Sequence, residues 1–132
     1  MKKNEALTAI ILWGSILSFA VTVPHAIEDF LYGVPRQFGV SNGPAALILG
    51  AGYAVQAAGI VGVNRGKRWG LLVTLAVATA WLAGDLLDHL PDLLSSAPYR
   101  EGASSRLLEI LIVVLAAAIG GSCVMAVGKR KS

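Results

Sequence analysis

The sequence predicts an all-α integral membrane protein, a bundle of four helices. Three observations carry that expectation. The 132 residues are 55% hydrophobic and only 14% charged. The apolar residues fall into four runs, each near or above the ~20 residues that cross a ~30 Å hydrocarbon layer. The basic residues gather at the run ends on one side. Four spans leave no room for a separate soluble domain, so residues 1–132 read as one four-span transmembrane domain.

Span 1 is drawn over about residues 6–30. It is long, lacks a small-x-small cleavage pattern before Pro24 and is followed by three further spans, so it reads as a helix of the mature chain rather than a signal peptide. Gly33 and Pro35 stop it. Span 2 covers about residues 44–63, with Ser41-Asn42-Gly43 as a capping stretch and Pro44 in the first helical turn. Span 3 covers about residues 69–90, and Pro91 predicts an early end or a kink. Span 4 covers about residues 105–127, with Ser104-Ser105 as its cap. The connections at 31–43 and 91–104 are the long ones and could cover a pocket mouth.

Lys2, Lys3, Arg65, Lys67, Arg68, Lys129, Arg130 and Lys131 all fall on one side, eight of the eleven basic residues. The positive-inside rule makes that side cytoplasmic and puts both termini there, in a plasma-membrane protein. Seven of the eight acids (Glu28, Asp29, Asp85, Asp88, Asp92, Glu101 and Glu109) then face the extracytoplasmic side. The net charge of +3 reflects this topology and gives no support to nucleic-acid binding.

Two polar triplets mark that acidic end: His25, Glu28 and Asp29 on span 1, then Asp85, Asp88 and His89 on span 3. Both have i, i+3, i+4 spacing, which sets each triplet on one helix face. They hold both histidines and half of the acids. Moving 60 positions carries one triplet onto the other and Pro44 onto Ser104, a pattern expected of two parallel helix-pair repeats, although residue identity between the halves is poor.

Imidazole with several carboxylates suits a divalent ion such as zinc, iron or manganese, and the expected metal ligands are His25, His89, Glu28, Asp29, Asp85 and Asp88. A bound ion would serve ion handling or catalysis on a lipid-soluble molecule. The alternative is metal-free acid–base chemistry on an isoprenoid, sterol-like or other hydrophobic substrate, as in an isomerase, cyclase or epoxide hydrolase. Asp85, Asp88, Glu28 and Asp29 would then be the proton carriers. A four-helix membrane isomerase family acting on sterols also carries a His and a Glu on an early span, but the spacing in His25-Ala26-Ile27-Glu28 differs and nothing else in the chain follows that pattern.

Candidate substrate contacts are Trp81, one turn inside Asp85, with Tyr32, Tyr99, Arg100 and Glu109. Haem between His25 and His89 is disfavoured, because flanking acids would oppose its propionates. The bland alternatives are a solvated acidic rim at the water boundary and a small packing subunit of a larger membrane complex.

Small residues at Ala54, Ala58 and Gly62 on span 2, and at Ala116/Gly120 and Ala117/Gly121 on span 4, would serve a compact bundle or a homodimer. Gln56, in mid-span, is expected to bond across to Thr74 or Thr79. Cys123 reads as a packing residue. No acid lies below His25 on the triplet face of span 1, which argues against a pathway through the whole membrane. Nucleotide-binding and soluble-hydrolase motifs are missing from the sequence.

Overall fold

The computed structural model describes residues 3–96 and 103–129. It is 92% helical, without strands among the described residues. The elements are α1 (Lys3–Tyr32), α2 (Val34–Gln37), α3 (Asn42–Asn64), α4 (Arg68–Leu94) and α5 (Ala103–Lys129). The four long ones are apolar and long enough to cross a membrane. They correspond to the four expected spans, each extended by a few residues.

Residue packing fixes an up-down-up-down course. Ile11, near the start of α1, shares one apolar cluster with Val63 at the end of α3, Leu71 at the start of α4 and Cys123 near the end of α5. The opposite end therefore joins the C-terminal part of α1 and α4 to the N-terminal part of α3 and α5. Helix α5 packs closely on both α1 and α4, and α3 leans on α4, whereas α1 and α3 meet far less.

The interior is polar and the exterior apolar. Among the described residues, eleven polar or charged side chains are buried, as many as apolar ones, while Trp13, Leu31, Leu47, Ile48 and Leu87 lie exposed. In water this distribution would waste the apolar area and bury the costly groups; in lipid both are reversed. Each long helix aims a stripe of 3–4 spacing inward. On α1 it runs Leu7, Ile11, Ser15, Ser18, Thr22, His25; on α4, Leu71, Thr74, Ala78, Asp85, His89; on α5, Ser105, Glu109, Ile112, Ala116, Ile119, Cys123. All three stripes turn ionisable at the same end.

Glycine sets the α3–α4 contact. A Cβ on Gly62 would stand 2.6 Å from Gly70 Cα, and one on Gly70 would collide with the Gly62 and Val63 backbone. Without side chains at these two positions the backbones can touch, the close approach that helices in lipid exploit. Of the expected row Gly62 alone turns inward: Ala54 and Ala58 are exposed, and Gln56, Gly59 and Val63 share the buried face with Gly62. On α5, Ala116 is buried but Ala117 and Gly121 point outward.

Gln56 supplies the polar waist. Its Nε2 donates to Ser15 O at 3.1 Å and Ser18 Oγ at 2.5 Å on α1, and its Oε1 accepts from Trp81 Nε1 of α4 at 2.9 Å. These partners replace the expected threonines, since Thr79 Oγ1 donates to Leu75 O of its own helix at 2.9 Å. Sequence spacing cannot say which neighbour a mid-span amide meets; the α1–α3–α4 corner does.

Three boundaries differ from expectation. Helix α4 passes through Pro91 and ends at Leu94, where the guanidinium of Arg106 donates to Leu93 O at 3.0 Å. Proline so near a helix end removes few hydrogen bonds, and the cation satisfies a terminal carbonyl. The connection after α1 contains the short helix α2, entered through Gly33 at φ 74°, with Pro35 in its first turn. That φ lies in the left-handed region, where glycine has no Cβ penalty. Ser104 and Ser105 lie inside α5 rather than capping it.

Candidate metal centre

The three ionisable stripes converge on His25 of α1, His89 of α4 and Glu109 of α5, all buried. His25 Nε2 and His89 Nε2 stand 3.3 Å apart. Glu109 Oε2 is 3.0 Å from the first and 3.8 Å from the second. Three ligand atoms thus face one point from three helices, a group that could hold a metal ion. Ligands held at ~2.0–2.1 Å in tetrahedral directions around zinc lie about 3.3 Å from one another, and the three edges of this triangle scatter around that length.

Surrounding groups orient the trio. Ser105 Oγ, one turn before Glu109 on α5, is 3.3 Å from His25 Nδ1. In the tautomer that leaves the Nε2 lone pair facing the other two groups, Nδ1–H donates to that hydroxyl, the outer contact that fixes ring orientation in metal-bound histidines. Asp88 Oδ2 lies 3.2 Å from His89 Nε2, and Asp29 Oδ2 lies 3.9 Å from His25 Nε2. The two imidazole rings are tilted by 58° with centroids 4.9 Å apart, so both nitrogens reach the same point without stacking. Neither Glu109 oxygen has an aligned hydrogen-bond partner. A buried carboxylate left so costs several kcal/mol unless a cation stands by it.

The expected site residues separate by place. His25 and His89 sit in the trio, Asp29 and Asp88 stand beside it, and buried Asp85 lines an adjoining cavity. Glu28 is partly buried outside the trio. Trp81 lines the cavity, whereas Tyr32 is exposed and does not. Tyr99 and Arg100 lie outside the described residues, as does Glu101. Glu109, a candidate substrate contact that could also join the cluster, is set by the fold at its centre. The sequence signal for it was a single acid within an otherwise uncharged run, i+4 from Ser105.

Beside the trio lies a cavity of about 320 Å³ between α1 and α3, roofed by α2 and the residues after it. Its wall carries Thr22, His25 and Asp29 from α1, Phe38 and Val40 above, Ala45, Ile48 and Leu49 from α3, and Trp81 and Asp85 from α4. The two halves diverge here. Sixty positions before Ser105 and Glu109 stand Ala45 and Leu49, so α5 contributes polar site residues where α3 contributes apolar wall. That exchange, with the slight α1–α3 contact, gives one side of the bundle end a His/His/Glu cluster that could hold a metal ion and the other an apolar pocket.

Deeper in the bundle a chamber of about 20 Å³ is lined by Ser15, Ser18, Thr22, Gln56, Thr74 and Trp81. That volume holds about one water. The Ser15 and Thr74 hydroxyls are buried there with no protein partner. Below it the buried side chains are Leu7, Ile11, Val63, Leu71, Ile119 and Cys123, with Ser122 the one polar group among the described residues, so no ionisable group continues the track.

No protein-family model, curated protein or solved structure matches this chain. Fold and site define its class: a helical protein of membrane type with a buried His/His/Glu cluster.

Proposed function

We propose that this protein is an integral membrane metalloprotein that uses a divalent ion, held by His25, His89 and Glu109, as a Lewis acid toward a hydrophobic molecule. The observation that carries this reading is the Nε2/Nε2/Oε2 triangle, with edges of 3.3, 3.0 and 3.8 Å at a fully buried point. Two neutral imidazoles and a carboxylate suit zinc, iron or manganese, and the edge lengths favour tetrahedral coordination. Asp88 and Asp29 stand close enough to complete the coordination or to accept hydrogen bonds from a fourth ligand.

The cavity supports the choice of a hydrophobic reactant. It adjoins His25, is mostly apolar, and lies at the loosest seam of the bundle, where a molecule dissolved in the bilayer would come in sideways. The charge asymmetry of the chain orients this end away from the cytoplasm. Small residues facing outward on α3 and α5 leave a homodimer open as the assembled form.

A second reading has its own observation. Two imidazole nitrogens 3.3 Å apart, with a carboxylate 3.0 Å from one, could share a proton and pass it to a substrate without any metal. Cobalt(II) substitution separates the two. On the metal reading, metal-stripped protein takes up about one Co²⁺ and shows the intense visible absorption of a tetrahedral ion, lost in His89→Ala. Failure to bind Co²⁺, or a weak octahedral spectrum unaffected by His89→Ala, would remove the metal reading and leave proton transfer.

A further inference from the structure

We propose that the cavity between α1 and α3 binds a hydrophobic ammonium ion, its apolar body among α2, α3 and the bilayer and its charged nitrogen against Asp85. As a statement about binding this stands on the cavity alone; as a statement about the substrate it rests on the metal reading above.

The polar part of the wall is one-signed. Asp29 and Asp85 contribute carboxylates, Thr22 a hydroxyl and His25 an imidazole, and no Lys or Arg lines the cavity among the described residues. Asp85 is 8% exposed, and its Oδ2 is buried with no hydrogen-bond partner. A carboxylate oxygen in that position accepts protons and offers none, so it selects a donor, and a charged donor above all.

Charge balance at this end points the same way. Asp29, Asp85, Asp88 and Glu109 stand close to the two histidines, and a divalent ion in the trio would still leave an excess of negative charge. Among the described residues the cations of this end lie elsewhere: the Arg106 guanidinium donates to Leu93 O, and Arg36 is exposed on α2. An anionic head would meet two carboxylates in a poorly screened place, and a neutral one would leave Asp85 unbalanced.

Aromatic rings complete the pocket. Trp81 is held by its bond to Gln56 Oε1, and its ring centroid lies 5.5 Å from that of Tyr53, so the indole is fixed before any ligand arrives. Phe38 closes the outer wall. Carboxylate with aromatic surface is the pairing that recognises alkylated ammonium groups. The volume of about 320 Å³ is at the small end of ligand pockets, and its opening lets a longer tail trail into lipid.

The test uses three probes with one tail and different heads: 10-bromodecylamine, 10-bromodecanol and 10-bromodecanoate. Their bromine quenches tryptophan on contact. The full chain carrying Trp13→Phe and Trp69→Phe retains Trp81 as its one tryptophan. The expected result is saturable quenching by the amine at a concentration about tenfold or more below that of either other probe, a preference lost in Asp85→Asn. Equal midpoints for the three heads, tighter binding of the carboxylate, or an unchanged amine preference in Asp85→Asn would overturn the proposal. The head-group comparison needs no change at the site, so it decides even if Asp85→Asn misfolds. Metal content measured on the same samples separates the readings: amine preference without metal sinks the metal site alone, and metal without amine preference sinks this proposal alone.

Discussion

Glu109→Gln changes one charge and almost no volume, at the point where three helices meet. The native carboxylate is wholly buried, 3.0 Å from His25 Nε2, without an aligned hydrogen bond on either oxygen. A divalent ion on the trio would supply the missing partner. Glutamine still offers an oxygen there but not the charge. Loss of an outer partner of a metal site costs about 10–100-fold in affinity, and loss of a direct anionic ligand is expected at the top of that range, about 100-fold or ~2.7 kcal/mol. At an ion concentration near 100 times the native dissociation constant, the native protein gains ~2.7 kcal/mol of stability from binding and the variant only ~0.4 kcal/mol. Competition between metal-stripped protein and a chromophoric zinc chelator reads the affinity; thermal unfolding in detergent with and without Zn²⁺ reads the stabilisation. An affinity within threefold of native, or equal stabilisation of both proteins, would refute the assignment of Glu109 as a ligand.

Four further outcomes are expected. Ser105→Ala removes the acceptor for His25 Nδ1–H and should weaken Zn²⁺ binding by about 10–100-fold with little change in the metal-free protein; unchanged affinity in the same competition assay would count against the hydroxyl's orienting role. Gln56→Leu removes three hydrogen bonds at the waist, each worth ~0.6 kcal/mol within a membrane, so SDS-unfolding titration should show a loss of about 2 kcal/mol, and a loss below ~0.5 kcal/mol would contradict it. Gly70→Ala drives a methyl into the Gly62–Val63 backbone, where no flexible side chain can give way, and should cost about 1–3 kcal/mol. Gly84→Ala, where an added methyl meets nothing within 4 Å, should be neutral or stabilising in the same titration.

What could be read from the sequence follows from how many residues carry each signal. A membrane span is announced by some twenty apolar residues, so all four long helices were legible. The triplets were legible because two or three polar residues repeat at helical spacing, and His25 and His89 indeed face the same point. Glu109 is one acid on one helix, with no periodic partner except Ser105, and Ser105 reads as a cap in sequence although α5 begins at Ala103 and includes it. Which helix face turns inward was the hardest to read where a helix is apolar all round: Ala54 and Ala58 have the same four-residue step as a packing row, yet Gln56 decides the orientation of α3 by bonding to α1 and α4. The cavity left no trace in any single segment. It arises because Ala45 and Leu49 stand where the other half has Ser105 and Glu109, and because α1 and α3 stay apart, a relation that exists only once the bundle is assembled.

Elemental analysis of the detergent-purified protein, prepared without added metal beside a His25→Ala/His89→Ala variant at matched concentration, tests the metal centre most directly. The expected result is about one equivalent of a divalent transition metal per native chain and none in the variant. Metal in neither protein, or the same amount in both, would contradict a metal held by His25, His89 and Glu109.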